Sequence, residues 1–259
     1  MHSVKILCIS SILFAATNAL ALGWFGTDLK GRACDGLEQH YGPFDYRRLE
    51  NRGSRLNIVE SYHFNKKVEQ LIAGMTAPLP ADIDYTLRAF PNHHRALRSI
   101  AKFWLEQKNP STKLPPAECY FQRAEVFVPD DYKVHLLFAI YLHKKNHLQR
   151  ARKEYKLAVQ YRPKSALAHY SYGLLLLDLG DLENARKQAR IAAKLGYPLK
   201  GLQHRIQRAE AKLKKGKGNQ SGKTADSHDG NLSPAADVKR PRMDKTSNQE
   251  SVPLNPENS

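Results

Sequence analysis

The sequence predicts an all-α fold: a solenoid of helix–turn–helix units with an irregular N-terminal segment and a disordered C-terminal tail. Three observations predict it. Small residues recur every 34 positions, as Ala117, Ala151 and Ala185 and again as Ala124, Ala158 and Ala192. A proline follows each small stripe, with Pro129 and Pro163 in register and Pro198 one residue late. The stretch "SYGLLLLDLGDLENARKQA", Ser171 to Ala189, joins an apolar run to glycines and then to alanines at helical spacing. A repeat of this length marks one supersecondary unit that buries its apolar face only by stacking on its neighbours.

The chain opens on a secretory signal, residues 1–21. His2 and Lys5 make a weak basic start, Ile6 to Leu22 is uncharged and apolar, and Ala19-Leu20-Ala21 offers a small-x-small cleavage site. The same stretch almost reaches bilayer-spanning length, so an inner-membrane anchor facing the periplasm is the alternative to a periplasmic or secreted protein. Removal of the signal takes Cys8 with it and leaves Cys34 and Cys119. That pair is compatible with one disulfide in an oxidising compartment, or with two independent thiols. Residues 22–64, with "YGPFDYR" and "NRGSR", read as turn-rich, irregular chain.

Residues 65–198 carry about three repeat units after a degenerate first helical pair, "NKKVEQLIAG" and "PADIDYTLRAF". In "FPNHHRALRSIAKFW", Pro91 ends one unit, and Leu97, Ile100, Ala101 and Trp104 mark the apolar face of the next helix. Ala101 precedes Ala117 by 16 residues, whereas Ala139 precedes Ala151 by 12, so the turn with Asn109-Pro110-Ser111 is longer. Phe121 and Tyr155 share a register in which Ala189 replaces the aromatic. Ala139 and Gly173 stand where a partner helix must approach closely, Gly173 opposite Ala185. Asn146 and Gly180 stand where the turn needs a left-handed residue. Residues 199–214 form a basic amphipathic capping helix, with Leu202, Ile206, Ala209 and Leu213 on one face. Residues 215–259 hold almost no large apolar side chains and read as disordered.

This pattern resembles the tetratricopeptide repeat, roughly from Asn65 to Gly201. The run from Cys34 through "DIDYTLRAFPNHHRAL" is also similar to the front of small exported tetratricopeptide-repeat proteins of proteobacteria, a likeness that implies no activity. The resemblance implies a non-enzymatic scaffold that binds a protein or peptide on the concave face formed by the first helix of each unit. The groove would comprise Arg95, Arg98 and Lys102, then Lys133, Leu136, Ile140, His143 and Lys144, then Tyr170, Leu174 and Leu177. Its basic upstream half and apolar downstream half suit a peptide with an acidic end and a hydrophobic end. Asparagine is missing from these positions, so the lysine–asparagine clamp of chaperone-binding members is not carried over.

The chain has 41 Lys and Arg against 25 Asp and Glu, a formal charge of +16. That surplus favours acidic partners, among them an anionic envelope polymer or lipid. The cluster "VKRPRMDK" would suit nuclear import only in a chain that is not exported, so no nucleic-acid partner is expected. His143 and His147 are four apart, but Asn146 ends their helix and no neighbour completes a ligand set, so no metal or other cofactor is predicted. His93 and His94 read as residues that terminate or cap a turn, and Asp82 and Asp84 as charges that favour a helix N-terminus. No phosphate loop, G-x-S-x-G or H-E-x-x-H occurs, which leaves catalysis without a motif.

Overall fold

The computed structural model describes residues 25–37, 41–106 and 114–218, without the side chains of 215–218. The signal, the turn at Asn109-Pro110-Ser111, the "VKRPRMDK" cluster and the tail from residue 219 lie outside the described residues. The fold is an all-α helix–turn–helix repeat solenoid. Its described residues contain no strand, only an isolated bridge between Thr27 and Ala33.

Three helical hairpins form the body. The first pairs α5 (His94–Glu106) with α6 (Ala117–Phe127), the second α7 (Tyr132–Lys144) with α8 (Leu148–Tyr161), and the third α9 (Ala166–Asp178) with α10 (Leu182–Lys194). Four of the six starts carry a side-chain cap. The His93 Nδ1 accepts the Ala96 N–H at 3.1 Å, so this histidine caps α5. Asp131, Ser165 and Asp181 cap α7, α9 and α10 by accepting N–H groups of the first turn. Asn146 (φ 62°) and Gly180 (φ 78°) take the left-handed conformation in the two hairpin turns.

The small stripes do the packing. Ala117, Ala124, Ala151, Ala158, Ala185 and Ala192 are all buried, and their short side chains let paired helices close on each other. Phe121 stacks on Phe138 at 4.9 Å and Tyr155 on Tyr172 at 5.9 Å, which fills the seams between successive units. Here α7 and α9 are buried around almost their whole circumference, because each touches its own second helix, the neighbouring first helices and the unit beyond. That accounts for the unbroken leucine run.

At the C-terminal end, α11 (Gly201–Gly218) covers α9 and α10 with Leu202 and Ile206. It runs four residues past the expected boundary at 214. At the N-terminal end, the stretch expected to be irregular through residue 64 contains α1 (Leu49–Arg52) and α2 (Ser54–His63), followed by α3 (Lys66–Glu69) and α4 (Leu79–Ala89). Leu56 and Val59 anchor α2 in a small cluster with Ala89 and Phe90, a burial that the turn-rich composition conceals.

The described residues between 25 and 48, namely 25–37 and 41–48, do lack helix. They are tied across the first unit instead. Cys34 and Cys119 form a disulfide that joins this segment to α6. Leu29 donates its N–H to Glu118 at 2.9 Å, and Gln122 donates to the Thr27 carbonyl at 2.9 Å. Farther along, Phe44 donates to the Ala89 carbonyl and Tyr46 to Asn92 Oδ1. No helix among the described residues is long and apolar enough to cross a membrane.

Candidate functional site

The groove residues expected from sequence lie on α5, α7 and α9, the first helices of the three units, but with different fates. Leu136, Ile140, Tyr170 and Leu174 are at most 2% exposed and belong to the core. Tyr170 stacks on Tyr197, just beyond α10, at 4.2 Å. The apolar half of the expected groove is therefore spent on internal packing. Leu177 alone stays half-buried, against the core edge.

The upstream charges are also engaged. Arg95 pairs with Glu69 at 2.5 Å and with Glu60 at 3.1 Å, and Arg98 reaches Glu69 at 2.7 Å. The Arg95 hydrogen bond holds the Glu69 carboxyl below its ordinary range against the effect of burial. These arginines fasten α2 and α3 to α5, a role a sequence reading misses because the partner acids sit 26 to 35 residues away. Lys102 only grazes Glu106, 3.8 Å off on the surface. Lys133 and Lys144 form no ion pair among the described residues, and burial alone lowers the Lys144 amine. The unspent positive charge of the face is thus Lys102, Lys133 and Lys144.

The histidines and acids singled out by sequence resolve as follows. His143 bonds Asp178 at 2.9 Å, and Arg205 of α11 takes the other Asp178 oxygen. His147 stands at the N-cap of α8 without a side-chain cap bond. His93 is fully buried and neutral, because Nδ1 accepts from Ala96 and only Nε2–H is left to donate to Glu60, at 2.9 Å. Burial lowers its pKa in agreement, so the Glu60 contact is a hydrogen bond of a neutral ring. His94 pairs with the buried Asp131 at 2.8 Å. Asp82 accepts the N–H groups of Met75, Thr76 and Ala77 and closes the loop before α4, while Asp84 accepts the Tyr120 hydroxyl at 2.6 Å. Both acids serve architecture.

One convergence had no counterpart in the sequence reading. Glu125 on α6, His135 on α7 and Glu154 on α8 place one ligand-type atom each within 4.8 Å of one another. His135 Nδ1 lies 2.8 Å from Glu154 and 3.1 Å from Glu125. Burial raises the Glu125 carboxyl, with Glu154 reinforcing the shift, while the two acids more than offset burial and raise His135. His135 and His169 are 34 apart, in the repeat register, which marks the ring's position but not the two acids that meet it.

Residues 136–196 match a family model described as tetratricopeptide repeat. The matched span holds most of α7, all of α8, α9 and α10, and the turns that join them. No curated protein matches the chain. Repeats of this family serve in general as protein-interaction scaffolds.

Proposed function

We propose, from the premise that this chain is a tetratricopeptide-repeat protein across residues 136–196, that it is an exported, non-enzymatic scaffold for a protein partner in the bacterial envelope. The observation that carries the reading is the division of labour among its cations. Arg95 and Arg98 are consumed by Glu60 and Glu69, whereas Lys102, Lys133 and Lys144 stay available on the first helices of two successive units. An acidic segment of a partner would lie along those lysines, with Leu177 as the apolar contact left at the next unit. Export is supported by the apolar stretch Ile6 to Leu22 and by a disulfide, which persists in oxidising compartments.

The test is affinity capture from envelope extracts with the intact chain, with Lys133→Glu/Lys144→Glu, and with Leu177→Ala. Both variants should lose the captured partner; the charge reversal should keep the wild-type melting transition, and Leu177→Ala should stay folded with a modest loss of stability. Retention of the same partner by both would remove the face from consideration.

A second reading is favoured by α11, where Arg208, Lys212 and Lys214 are exposed and form no ion pair among the described residues. There the chain would bind an anionic envelope polymer or lipid. Such binding falls steeply with salt, because it rests on screened charge, while a contact that includes Leu177 keeps its apolar part.

A further inference from the structure

The seam between the first and second repeat units holds a set of groups that the next seam lacks. In the third unit, His169 donates from Nε2 to the Pro163 carbonyl at 2.9 Å, and its Nδ1 faces the Gln188 amide at 2.6 Å. An amide carries both donor and acceptor, so that ring is satisfied with neutral partners. The second unit keeps the ring and the proline, with His135 Nε2 donating to the Pro129 carbonyl at 2.8 Å. Gln188 is replaced there by Glu154, 34 residues earlier, and Val159 by Glu125.

The consequence is an excess of acceptors. With Nε2–H committed to Pro129, Nδ1 and two carboxylates face one point, where either a proton on Nδ1 or a cation must sit between them. The Glu125 Oε1 atom is buried there, 3.1 Å from His135 Nδ1 but without a hydrogen bond of good geometry. Only an added proton or a cation can bring three acceptors together.

We propose that Glu125, His135 and Glu154 bind a divalent first-row transition-metal ion, zinc being the best match. Neighbouring ligand atoms around tetrahedral zinc are about 3.3 Å apart when N and O ligands sit at their usual distances. The 2.8 and 3.1 Å separations open to that value by a small side-chain adjustment. Two carboxylates neutralise the dication, and the imidazole selects against magnesium and calcium, which take oxygen ligands. The Pro129 carbonyl orients the ring as the outer partner of a metal-bound histidine does. The Glu125 and Glu154 side chains keep 20% and 15% of their surface exposed, so an ion enters from solvent and water completes the coordination. The three ligands come from α6, α7 and α8, so the ion clips the first unit to the second. This site goes beyond the scaffold reading and does not depend on it.

The test uses the untagged, purified chain, stripped with chelator and titrated with zinc chloride by calorimetry, with magnesium chloride alongside. One zinc per chain should bind saturably and raise the melting temperature, while magnesium does neither. Glu125→Val/Glu154→Gln rebuilds the second unit in the image of the third, which already folds with those residues. That variant should keep its helical spectrum, bind zinc at least about ten-fold more weakly, and lose the zinc-induced stabilisation. Cobalt(II) adds an independent readout, since visible ligand-field bands should appear in the wild type and be absent from His135→Gln. If the wild type takes up no zinc, the triad is bridged by a proton and the proposal fails. Zinc binding by the double variant at wild-type strength, or unchanged cobalt bands in His135→Gln, would place the metal on other histidines and overturn it equally.

Discussion

His135 and His169 stand one repeat apart and make the same bond, each donating its Nε2 hydrogen to the carbonyl of a proline six residues earlier, at 2.8 and 2.9 Å. A proline that ends a unit leaves its carbonyl facing the next helix, buried and in need of a donor. The histidine supplies that donor from the first turn of α7 or α9. Its other nitrogen reaches the second helix of the same unit, at Glu154 or Gln188. One side chain thus ties three segments: the inter-unit turn, the first helix and the second.

If that tie matters, His169→Phe should be destabilising although it keeps a flat ring of similar size. The Pro163 carbonyl and the Gln188 amide would both lose a partner. A loss of about 1–3 kcal/mol is expected, read as a lower denaturant midpoint at unchanged slope. A midpoint within error of wild type would mean that water replaces the ring.

The disulfide should carry much of the stability of the N-terminal segment. Cys34 and Cys119 are 85 residues apart, and closing so long a loop restricts the unfolded chain by about 4 kcal/mol in the chain-entropy account. Cys34→Ala/Cys119→Ala leaves only small apolar voids, so most of its effect should be the lost cross-link. Chemical unfolding with and without reductant checks this: the wild type should fall towards the variant on reduction, and the variant should not respond.

Acid should loosen the same end of the molecule. Burial by itself would raise the Asp131 carboxyl, but His94, Asn92 and Arg47 outweigh it and hold it below the ordinary 3.8. Burial is likewise overcome at Glu60 by His93 and Arg95, and at Asp82 by the Met75 N–H, His63 and Thr76. A carboxyl lowered in the folded state contributes stability above its unfolded pKa and loses it as pH falls through the folded value. Stability should therefore be flat from neutrality down to about pH 5 for these groups and fall increasingly below about pH 4. Asp131→Asn keeps a capping side chain for α7 while removing the charge. It should lower stability at neutral pH and flatten the acid limb, as followed by unfolding midpoints across pH. An acid limb unchanged by the substitution would assign it to other carboxylates.

What was legible in advance follows from how local the signal is. The 34-residue spacing of alanines, aromatics and prolines sets the three hairpins, because each mark reflects packing against the nearest helix. Asn146 and Gly180 were readable for the same reason, each answering to its own turn. His93 and His94 were readable as residues that end or cap a turn, though not in the neutral and paired roles they take. Arg95 and Arg98 were not readable as buried pairs, since Glu60 and Glu69 approach them only through the folded α2 and α3. Leu136, Ile140, Tyr170 and Leu174 misled as groove residues, because an apolar side chain on a first helix looks alike whether it faces a ligand or a neighbouring element. The Glu125–His135–Glu154 convergence draws on three helices and needed three dimensions.

In the third unit Gly173 packs tightly against α10 and α11, and it offers a sharp test of the register. A Cβ built there would sit 2.5 Å from Leu202 Cδ2, 3.4 Å from Gln188 Cβ and 3.5 Å from the Ala185 carbonyl oxygen. The nearest atom is the end of a flexible side chain on α11, whereas the next two belong to or lie beside the α10 backbone. A single methyl can be met by a swing of Leu202, and a helix gains up to about 1 kcal/mol when glycine becomes alanine. Gly173→Ala, which installs the residue found at Ala139, should therefore stay within about 1 kcal/mol of wild type. Leucine cannot be met that way, because its branch would occupy the volume of Leu202 itself and push α11 off α9. Gly173→Leu should lower stability by about 1–3 kcal/mol. The clash is specific, so adding Leu202→Ala should return part of the loss, a coupling that a double-mutant cycle reads directly. Equal and additive losses would show that α11 does not seat against Gly173, and an unchanged melting temperature for Gly173→Leu would refute the packing register of the third unit.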